Sequence, residues 1–278
     1  MEILIPVLIM LLVGVLCAVL LTVASVFFSV KEDERAVAIR EALPGANCGA
    51  CGFSGCDGYA KALSEGRTDK TNLCTPGGDT AAAAIAGIMG TEALDVVEKV
   101  AIVACNGSCK PEEKKYEYVG PKTCKAANMN YAGDRLCTFA CLGYGDCMRV
   151  CPRGAISISE AGIASINPSL CIGCGICARE CPNGIIHIVP DTVRTVVECS
   201  NHYKGAEVRR VCQNGCIACG KCQKVCPDGA LEIIDNLARI DYNKCSGCGA
   251  CRDACPIGCI HEGDFISGAS CPLMGAAE

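Results

Sequence analysis

The distribution of apolar and charged residues separates one long hydrophobic segment from many short ones. Residues Ile3 to Val30 contain no charged side chain. A helix over this segment, rising about 1.5 Å per residue, is longer than the roughly 30 Å apolar core of a bilayer. A cleaved signal peptide is the alternative, but its apolar region spans only about 7–15 residues and follows a basic residue, which this segment lacks. The pattern predicts a transmembrane anchor over residues 1–30.

The charges that flank the anchor predict its orientation. Glu2 precedes it, whereas Lys31, Arg35 and Arg40 follow it. Because basic residues are retained on the cytoplasmic side of a membrane, we expect a single-pass protein of the cell (inner) membrane with its bulk in the cytoplasm. That compartment is reducing, so its cysteines are expected to be metal ligands rather than disulfides.

Shorter apolar runs follow the anchor. The stretch TAAAAIAGIMG predicts a helix capped by Asp79 or Thr80, and a second helix is expected around Glu92 to Lys99. Further along, a phrase made of Cys-Pro, a turn and a short apolar run occurs four times, starting at Cys151, Cys181, Cys226 and Cys255. The phrases form two close pairs, and each favours a small strand after the turn. The sequence therefore predicts two modules, each built from two similar repeats.

Composition indicates what holds such short elements together. The 278 residues include 28 Cys, no Trp and five Phe. This cysteine content is typical of small disulfide scaffolds or of metal proteins, and the length and the reducing compartment exclude the first class. The formal net charge of −5 argues against nucleic acid as the main partner. We therefore expect thiolates that bind metal.

Cysteine spacing identifies the expected metal group in the last pair of repeats. Zinc sites commonly use two CxxC pairs. Here three cysteines at C-x2-C-x2-C precede a Cys-Pro, which is the pattern of two-cluster bacterial ferredoxins, whose fourth cysteine ligates the partner cluster. The predicted [4Fe–4S] ligand sets are Cys216, Cys219, Cys222 with Cys255, and Cys245, Cys248, Cys251 with Cys226.

The first pair of repeats is less regular. One repeat has the same spacing, at Cys171, Cys174, Cys177 and Cys181. Its mate is stretched, with Gly143 and Gly145 allowing extra residues to loop out. If the fourth cysteine of each repeat again ligates the cluster of the partner repeat, one cluster is predicted on Cys137, Cys141, Cys147 and Cys181, and another on Cys151, Cys171, Cys174 and Cys177.

Two further cysteine groups precede these repeats or lie between them. CGACGFSGC and a later cysteine supply a fifth set, with zinc as the alternative: Cys48, Cys51, Cys56 and Cys74. A sixth cluster would take four of five others, for which free buried thiols are the alternative: Cys105, Cys109, Cys124, Cys199 and Cys212. Cys17, Cys259 and Cys271 are expected not to be ligands.

Motifs for other chemistry are missing from the sequence. No GxGxxG follows a predicted strand and no Walker loop occurs, so neither a dinucleotide site nor an NTPase is predicted, and no catalytic residue is assigned. Cys212, Cys216 and Cys219 match the spacing of radical enzymes that cleave S-adenosylmethionine. The cluster motifs leave no room for a barrel of roughly 200 residues, however. The isolated chain is expected to be an electron carrier.

The order of these parts resembles a known family. An N-terminal apolar helix, CGACGFSGC with TPGGD and an Ala-rich helix, and tandem ferredoxin modules are similar to the B subunit of the Rnf complex, the ion-translocating ferredoxin:NAD oxidoreductase, in its long form. The resemblance implies an α+β fold. Its expected parts are the anchor (1–30), a 4Fe-4S domain (31–100), a first ferredoxin module with a Cys-rich extension (101–198) and a second module (199–278).

The resemblance also implies a function. The chain would take electrons from reduced soluble ferredoxin and pass them through five or six [4Fe–4S] clusters to other membrane subunits, which in that family carry flavin, reduce NAD and move Na⁺ or H⁺. One alternative is a polyferredoxin subunit of a membrane hydrogenase or formate-oxidising complex. Another is an iron–sulfur reductase of a soluble substrate.

A local excess of positive charge predicts where ferredoxin docks. Five basic residues lie beside the second module against Glu207 alone: Lys204, Arg209, Arg210, Lys221 and Lys224. Soluble ferredoxins are generally acidic, so this surface would steer them. The alternative is an ordinary solvated face whose charges pair with acidic residues elsewhere in the fold.

Overall fold

A computed structural model describes residues 4–27, 33–107 and 114–263, which form mostly short elements. The helices are α1 (Leu4–Phe27), α2 (Glu34–Ala42), α3 (Cys56–Ser64), α4 (Gly78–Met89), α5 (Cys124–Asn128), α6 (Asp146–Arg149), α7 (Ile176–Glu180), α8 (Gly205–Val211), α9 (Lys221–Val225) and α10 (Ala250–Asp253). The strands are β1 (Lys99–Val103), β2 (Ile156–Ile158), β3 (Ala164–Ile166), β4 (Ile186–Pro190), β5 (Thr195–Val197), β6 (Leu231–Ile234), β7 (Leu237–Ile240) and β8 (Ile260–Glu262).

Helix α1 contains the long apolar segment. It has 24 residues, and none of the stretch Ile5–Ser25 is buried against the rest of the protein. At about 1.5 Å per residue, a helix of this length can cross the apolar core of a bilayer. It is the one candidate membrane span within the described residues.

Helices α2, α3 and α4 form a small domain after the candidate span. Their core contains the fully buried side chains of Ile39, Tyr59, Leu63 and Ile85. The Tyr59 hydroxyl donates to the carbonyl of Lys70 at 2.6 Å, which holds the chain that leads to Cys74. This domain therefore holds the first cysteine group at the start of α3 and in the segments that connect its three helices.

The Ala-rich helix is present, but its predicted cap is wrong. Helix α4 begins at Gly78, and no side chain caps it. The Asp79 carboxylate instead accepts from the N–H of Val96 at 2.8 Å, and the Thr80 hydroxyl donates to the Gly77 carbonyl. Asp79 thus holds the segment that follows the helix by a hydrogen bond.

The second predicted helix, Glu92 to Lys99, is also wrong. Residues 92–98 form neither helix nor strand and lead into β1, which pairs antiparallel with β4. Val100 and Ile102 pack on one face of β1, whereas Ala101 faces the cysteine-rich core on the other. This alternation has the period of a strand, and pairing with a distant strand outweighs the local helix preference.

The two ferredoxin modules share one arrangement of strands. In the first module, β1 pairs with β4 and β2 with β3; in the second, β5 pairs with β8 and β6 with β7, all antiparallel. The predicted tandem repeat is therefore visible in the strand pairing. Strands β1 and β5, which begin at Lys99 and Thr195, belong to these pairs, while the module bounds expected from sequence stay a prediction.

Cysteines occupy much of the core of both modules. In the second module, Leu231, Leu237 and Ile260 pack with five buried cysteines: Cys199, Cys216, Cys222, Cys251 and Cys259. In the first module, Ile156, Ile185 and Ile186 pack with Cys141, Cys147 and Cys177. Apolar side chains between such short strands bury little area, so the groups bound to sulfur should contribute much of the stability.

Removal of iron is therefore expected to unfold both ferredoxin modules. We predict that anaerobic chelation abolishes the cooperative thermal transition, measured by circular dichroism in detergent, and that added iron and sulfide restore it. Helix α1 carries no predicted ligand and should keep its helical signal, which serves as an internal control. A cooperative transition that persists in iron-free protein would contradict this prediction.

Candidate iron–sulfur centres

The first cysteine group lies between α2 and α4. A pocket is lined by Cys48, Cys51, Cys56 and Cys74. Burial raises the pKa of the Cys74 thiol to about 11, and the three other thiols contribute to the rise. The N–H of Gly77 lowers this pKa in part. A Cβ at Gly77 would lie 3.1 Å from the Cys74 sulfur and 2.6 Å from Ala81 Cβ. Glycine thus permits a close approach of backbone to sulfur.

The second module brings its cysteines together in crossed sets. Burial raises the pKa of Cys222 to about 11, and its thiol neighbours are Cys216, Cys219 and Cys255. Burial likewise raises the pKa of Cys251, whose thiol neighbours are Cys245 and Cys226. In each set, one cysteine comes from the Cys-Pro of the other repeat, as the spacing predicts. That these thiols bind iron stays a prediction.

Cys259 lies beside the first of these sets. Its sulfur is 3.7 Å from that of Cys255, and the residue is 2 % exposed. The other three Cys-Pro phrases carry Ala155, Ile185 and Ala230 at the corresponding position, and all three are buried. Cys259 therefore fills the place of a buried apolar side chain, although its spacing gave no sign that it would lie next to a cysteine group.

The regular repeat of the first module also forms a crossed set. Burial raises the pKa of Cys177 to about 11, and its thiol neighbours are Cys171, Cys174 and Cys151. The N–H groups of Ala101 and Ala155 donate to the sulfurs of Cys171 and Cys151, at 3.4 Å and 3.3 Å. Strand β1 and the turn before β2 therefore provide the donors that a thiolate at this position needs.

The stretched repeat is grouped differently from the sequence-based expectation. Burial raises the pKa of Cys147 to about 12, and its thiol neighbours are Cys141, Cys124 and Cys181. Cys124 thus occupies the position predicted for Cys137. Cys124 begins α5, and the ion pair of Lys125 with Glu180, at 2.7 Å, joins this helix to the residue before Cys181.

The inserted residues of the stretched repeat wrap around Cys124. The N–H groups of Tyr144 and Asp146 donate to its sulfur, which offsets in part the rise of its pKa by burial. Gly143 has φ +76°, and a Cβ there would lie 2.3 Å from the carbonyl oxygen of Gly162. The insertion therefore forms a defined turn that accommodates Cys124 as the fourth thiol of this group. The spacing alone does not reveal this.

Cys137 lies with three cysteines from the set proposed for a sixth cluster. Burial raises the pKa of Cys137 to about 11, and its thiol neighbours include Cys212 and Cys199. Burial raises the pKa of Cys105 to about 12, and its thiol neighbours are Cys141, of the adjacent group, and Cys137. Of the remaining cysteines, Cys17 lies in α1, and Cys109 and Cys271 lie outside the described residues.

Backbone N–H donors to sulfur bear on which metal group these thiols would hold. A zinc site needs sulfurs about 2.3 Å from one ion. A cube spreads four thiolates over four irons, and its thiolates are commonly stabilised by backbone N–H donors such as those above. The residues therefore fit the cube.

Comparison with protein families supports iron–sulfur binding in three regions. A family model for a putative Fe-S cluster matches residues 43–76, a 4Fe-4S binding domain matches residues 164–187, and a 4Fe-4S dicluster domain matches residues 209–256. These ranges include the first cysteine group and regular repeats of both modules. The stretched repeat lies outside them.

Curated relatives match most of the chain. The B subunit of the Na(+)-translocating ferredoxin:NAD(+) oxidoreductase complex of Acetobacterium woodii is 42% identical over 241 residues, 87% of this chain and 72% of the relative. The corresponding B subunit of the proton-translocating complex of Clostridium ljungdahlii is 38% identical, over 84% of this chain and 82% of its own length. The chain belongs to the family of Rnf complex B subunits. The resemblance stated from sequence motifs is thereby confirmed.

The same family of Rnf B subunits includes an archaeal relative. The B subunit of the ion-translocating oxidoreductase complex of Methanosarcina acetivorans is 38% identical over 82% of this chain and 86% of the relative. The Rnf relatives and the 4Fe-4S domains together indicate an iron–sulfur protein of a membrane complex, with α1 as the candidate span.

The crossed ligation in this Rnf protein can be tested by counting iron. In Cys226→Ala/Cys248→Ala both removed ligands belong to one predicted cube, so about four irons per chain should be lost. In Cys219→Ala/Cys226→Ala the two ligands belong to different cubes, so about eight should be lost. Iron and sulfide analysis of anaerobically purified proteins measures both. The reverse order of losses would show that each repeat ligates its own cube.

Proposed function

We propose that this Rnf protein takes single electrons from reduced soluble ferredoxin and passes them, through five or six [4Fe–4S] clusters, to the other subunits of its membrane complex. When bound, such clusters accept and donate one electron each. The observation that carries the proposal is that the cysteine groups lie next to one another between an exposed module and the domain that follows the candidate membrane helix.

The second module offers the point where electrons enter. Of the cysteines in the groups described above, Cys219 and Cys248 are the exposed ones, and both belong to this module. The remaining thiols of these groups are buried or half-buried. A donor protein can therefore approach the sulfurs of the second module most closely.

The chain around Cys219 is rich in basic residues. Its five cations are exposed: Lys204, Arg209, Arg210, Lys221 and Lys224. Across residues 33–107 and 114–263, none of them forms an ion pair with an acidic side chain, which supports a docking surface over the alternative of a neutralised face. Glu207 and Asp228 are the nearest acidic residues in sequence. The net positive charge favours an acidic partner.

Helix α8 holds two of these cations next to the Cys216 group. Its buried Val208 meets Gly215, where a Cβ would lie 2.5 Å from the valine side chain. Gly205, at the start of the helix, lies against the carbonyl of Ile217. The cations Arg209 and Arg210 are thus fixed to the loop that carries Cys216, and charge and cluster ligands share one surface.

The opposite end of the path lies at the N-terminal domain. Cys48 is among the thiol neighbours of Cys174 in the first module. Arg179 donates to the carbonyl oxygen of Cys48 at 2.5 Å. Since α2 begins only a few residues after α1, this first cysteine group stays close to the membrane end of the candidate span. We infer that electrons leave here, on the cytoplasmic side.

The alternatives account for less of the molecule. A polyferredoxin subunit of a hydrogenase or formate-oxidising complex requires cluster modules, but it does not explain the Cys48 domain between module and anchor. The names of the relatives also favour the Rnf complex. A reductase of a soluble substrate would show turnover by the isolated chain, which distinguishes it from a carrier.

The basic surface can be tested by charge reversal. Arg209→Glu with Arg210→Glu should slow electron transfer from reduced ferredoxin on the order of tenfold at low salt, because long-range attraction is lost. The rate of the variant should also depend less on salt. Salt slows the wild type by screening the attraction, with a Debye length of about 10 Å at 0.1 M, and the variant has lost that attraction. Stopped-flow oxidation of reduced ferredoxin at two ionic strengths measures both effects.

Lys61→Glu with Arg67→Glu is the matched control. Both residues are exposed on the N-terminal domain, and the pair changes the net charge by the same amount. This control should leave the rate near that of wild type, and both variants should keep their iron. An unchanged rate and salt dependence in the Arg209 and Arg210 variant would place docking elsewhere. No electron transfer to the wild-type protein would overturn the proposed function.

A further inference from the structure

We propose that Cys105, Cys137, Cys199 and Cys212 hold a sixth [4Fe–4S] cluster, which lies between the two ferredoxin modules. This ligand set differs from the four-of-five set expected from sequence, because Cys137 replaces Cys124 and the described residues supply all four thiols. Side-chain contacts alone support the ligand set, whereas the role of the cluster as a link between modules rests on the proposed function.

The four cysteines come equally from the two modules. Cys105 follows strand β1, and Cys137 is the first cysteine of the stretched repeat, so both belong to the first module. Cys199 follows strand β5, and Cys212 lies at the end of helix α8, in the second module. A group bound to all four sulfurs would therefore join the modules covalently.

Side-chain contacts bring the four residues together. Cys105 and Cys212 both pack against the buried pair Cys137 and Ala140. The side-chain amide of Asn201 donates to the Cys137 sulfur at 3.4 Å, and its main-chain N–H donates to the Cys199 sulfur at 3.4 Å. One buried asparagine thus connects a thiol of the first module with a thiol of the second.

Asn201 is oriented as a donor to sulfur. The residue is 2 % exposed, and its side-chain oxygen accepts from the N–H of Tyr203 at 2.7 Å, so its NH₂ group faces Cys137. A neutral thiol is a weak acceptor, whereas a thiolate is a strong one. Two buried donors aimed at two sulfurs therefore favour thiolate ligands over the alternative of free buried thiols.

The neighbouring groups adjoin this site on both sides. The N–H of Cys141 donates to the Cys105 sulfur at 3.5 Å, and the N–H of Cys216 donates to the Cys199 sulfur at 3.2 Å. Cys141 belongs to the group with Cys124, and Cys216 to the group with Cys255. On each side, a cysteine of the adjacent group therefore donates its main-chain N–H directly to a sulfur of this site.

The complete path then contains six groups, which these contacts place in order. From the second module inwards they are the groups of Cys248, Cys219, Cys137, Cys124, Cys174 and Cys48. The Cys137 group is the one that takes thiols from both modules. Each step takes one electron in and one electron out and leaves the cysteines unchanged, while cluster insertion releases four thiol protons at the new site.

Iron counts in paired variants test the ligand set. Cys105→Ala/Cys137→Ala removes two ligands of one cube and should lose about four irons per chain. Cys137→Ala/Cys141→Ala removes ligands of two cubes and should lose about eight. If the stretched repeat instead holds one cube with Cys137 and Cys141, the second variant loses only about four, and the proposal is overturned.

A milder variant provides a test should the cysteine variants not fold. Asn201→Ala should retain full iron content but lower the reduction potential of one cluster, because a donor to its thiolate is lost. A redox titration followed by EPR measures this. Asn243→Ala, at an exposed position of the second module, is the matched control and should shift no potential. An unchanged set of potentials in Asn201→Ala would contradict the proposal.

The role as a link has its own readout. In Cys105→Ala/Cys137→Ala, reduced ferredoxin should still bleach the clusters of the second module at the wild-type rate, while those of the first module stay oxidised. Bleaching of both modules at the wild-type rate would overturn the link and leave the ligand set standing. Absence of any bleaching in wild type would overturn the proposed function, and the iron counts would still decide the site.

Discussion

Close packing of buried thiols is the constraint on which the rest of this structure depends. Burial raises the pKa of several of them to about 11 or 12, and neighbouring thiols raise them further. Four thiolates in such a place would repel each other, so the ionised form needs the positive charge of iron. Strands of three to five residues and a protein without Trp can then form a stable core, because the metal joins segments that apolar contacts alone would hold weakly.

Crossed grouping turns these local sites into a connected structure. In every ferredoxin-like set, one thiol comes from a distant Cys-Pro, so each site joins two halves of a module. Backbone N–H groups reach the sulfurs from strands and turns of either half, as Ala101 does for Cys171 and Ala155 for Cys151. The strand pairs β1 with β4 and β5 with β8 close the modules around these sites. Folding and ligand placement are therefore the same event.

The sequence predicted the local parts of this arrangement and missed the distant ones. Regular C-x2-C-x2-C motifs place three thiols around a single tight loop, so Cys171 to Cys177 and Cys216 to Cys222 could be grouped from spacing. Cys124 reaches its group because Cys124 and Ala127 of α5 pack against Leu142 and Tyr144 of the inserted turn, and such packing leaves no spacing signal. Strand β1 was missed for a related reason, since its partner β4 lies more than eighty residues away. The position of Asp79 shows that a residue suited to capping can serve a tertiary contact instead.

Differences in the surroundings of the groups bear on the direction of electron flow. Reduction potentials of such clusters depend on hydrogen bonds to sulfur and on solvent exposure. Cys219 and Cys248 meet solvent at one end, whereas Cys199 accepts from two main-chain N–H groups in a buried site. Short backbone segments around each group can therefore tune one potential without disturbing the next. Under the proposed function, differences in burial and hydrogen bonding between similar motifs would give the path its direction, and the candidate membrane helix would set which end faces the rest of the complex.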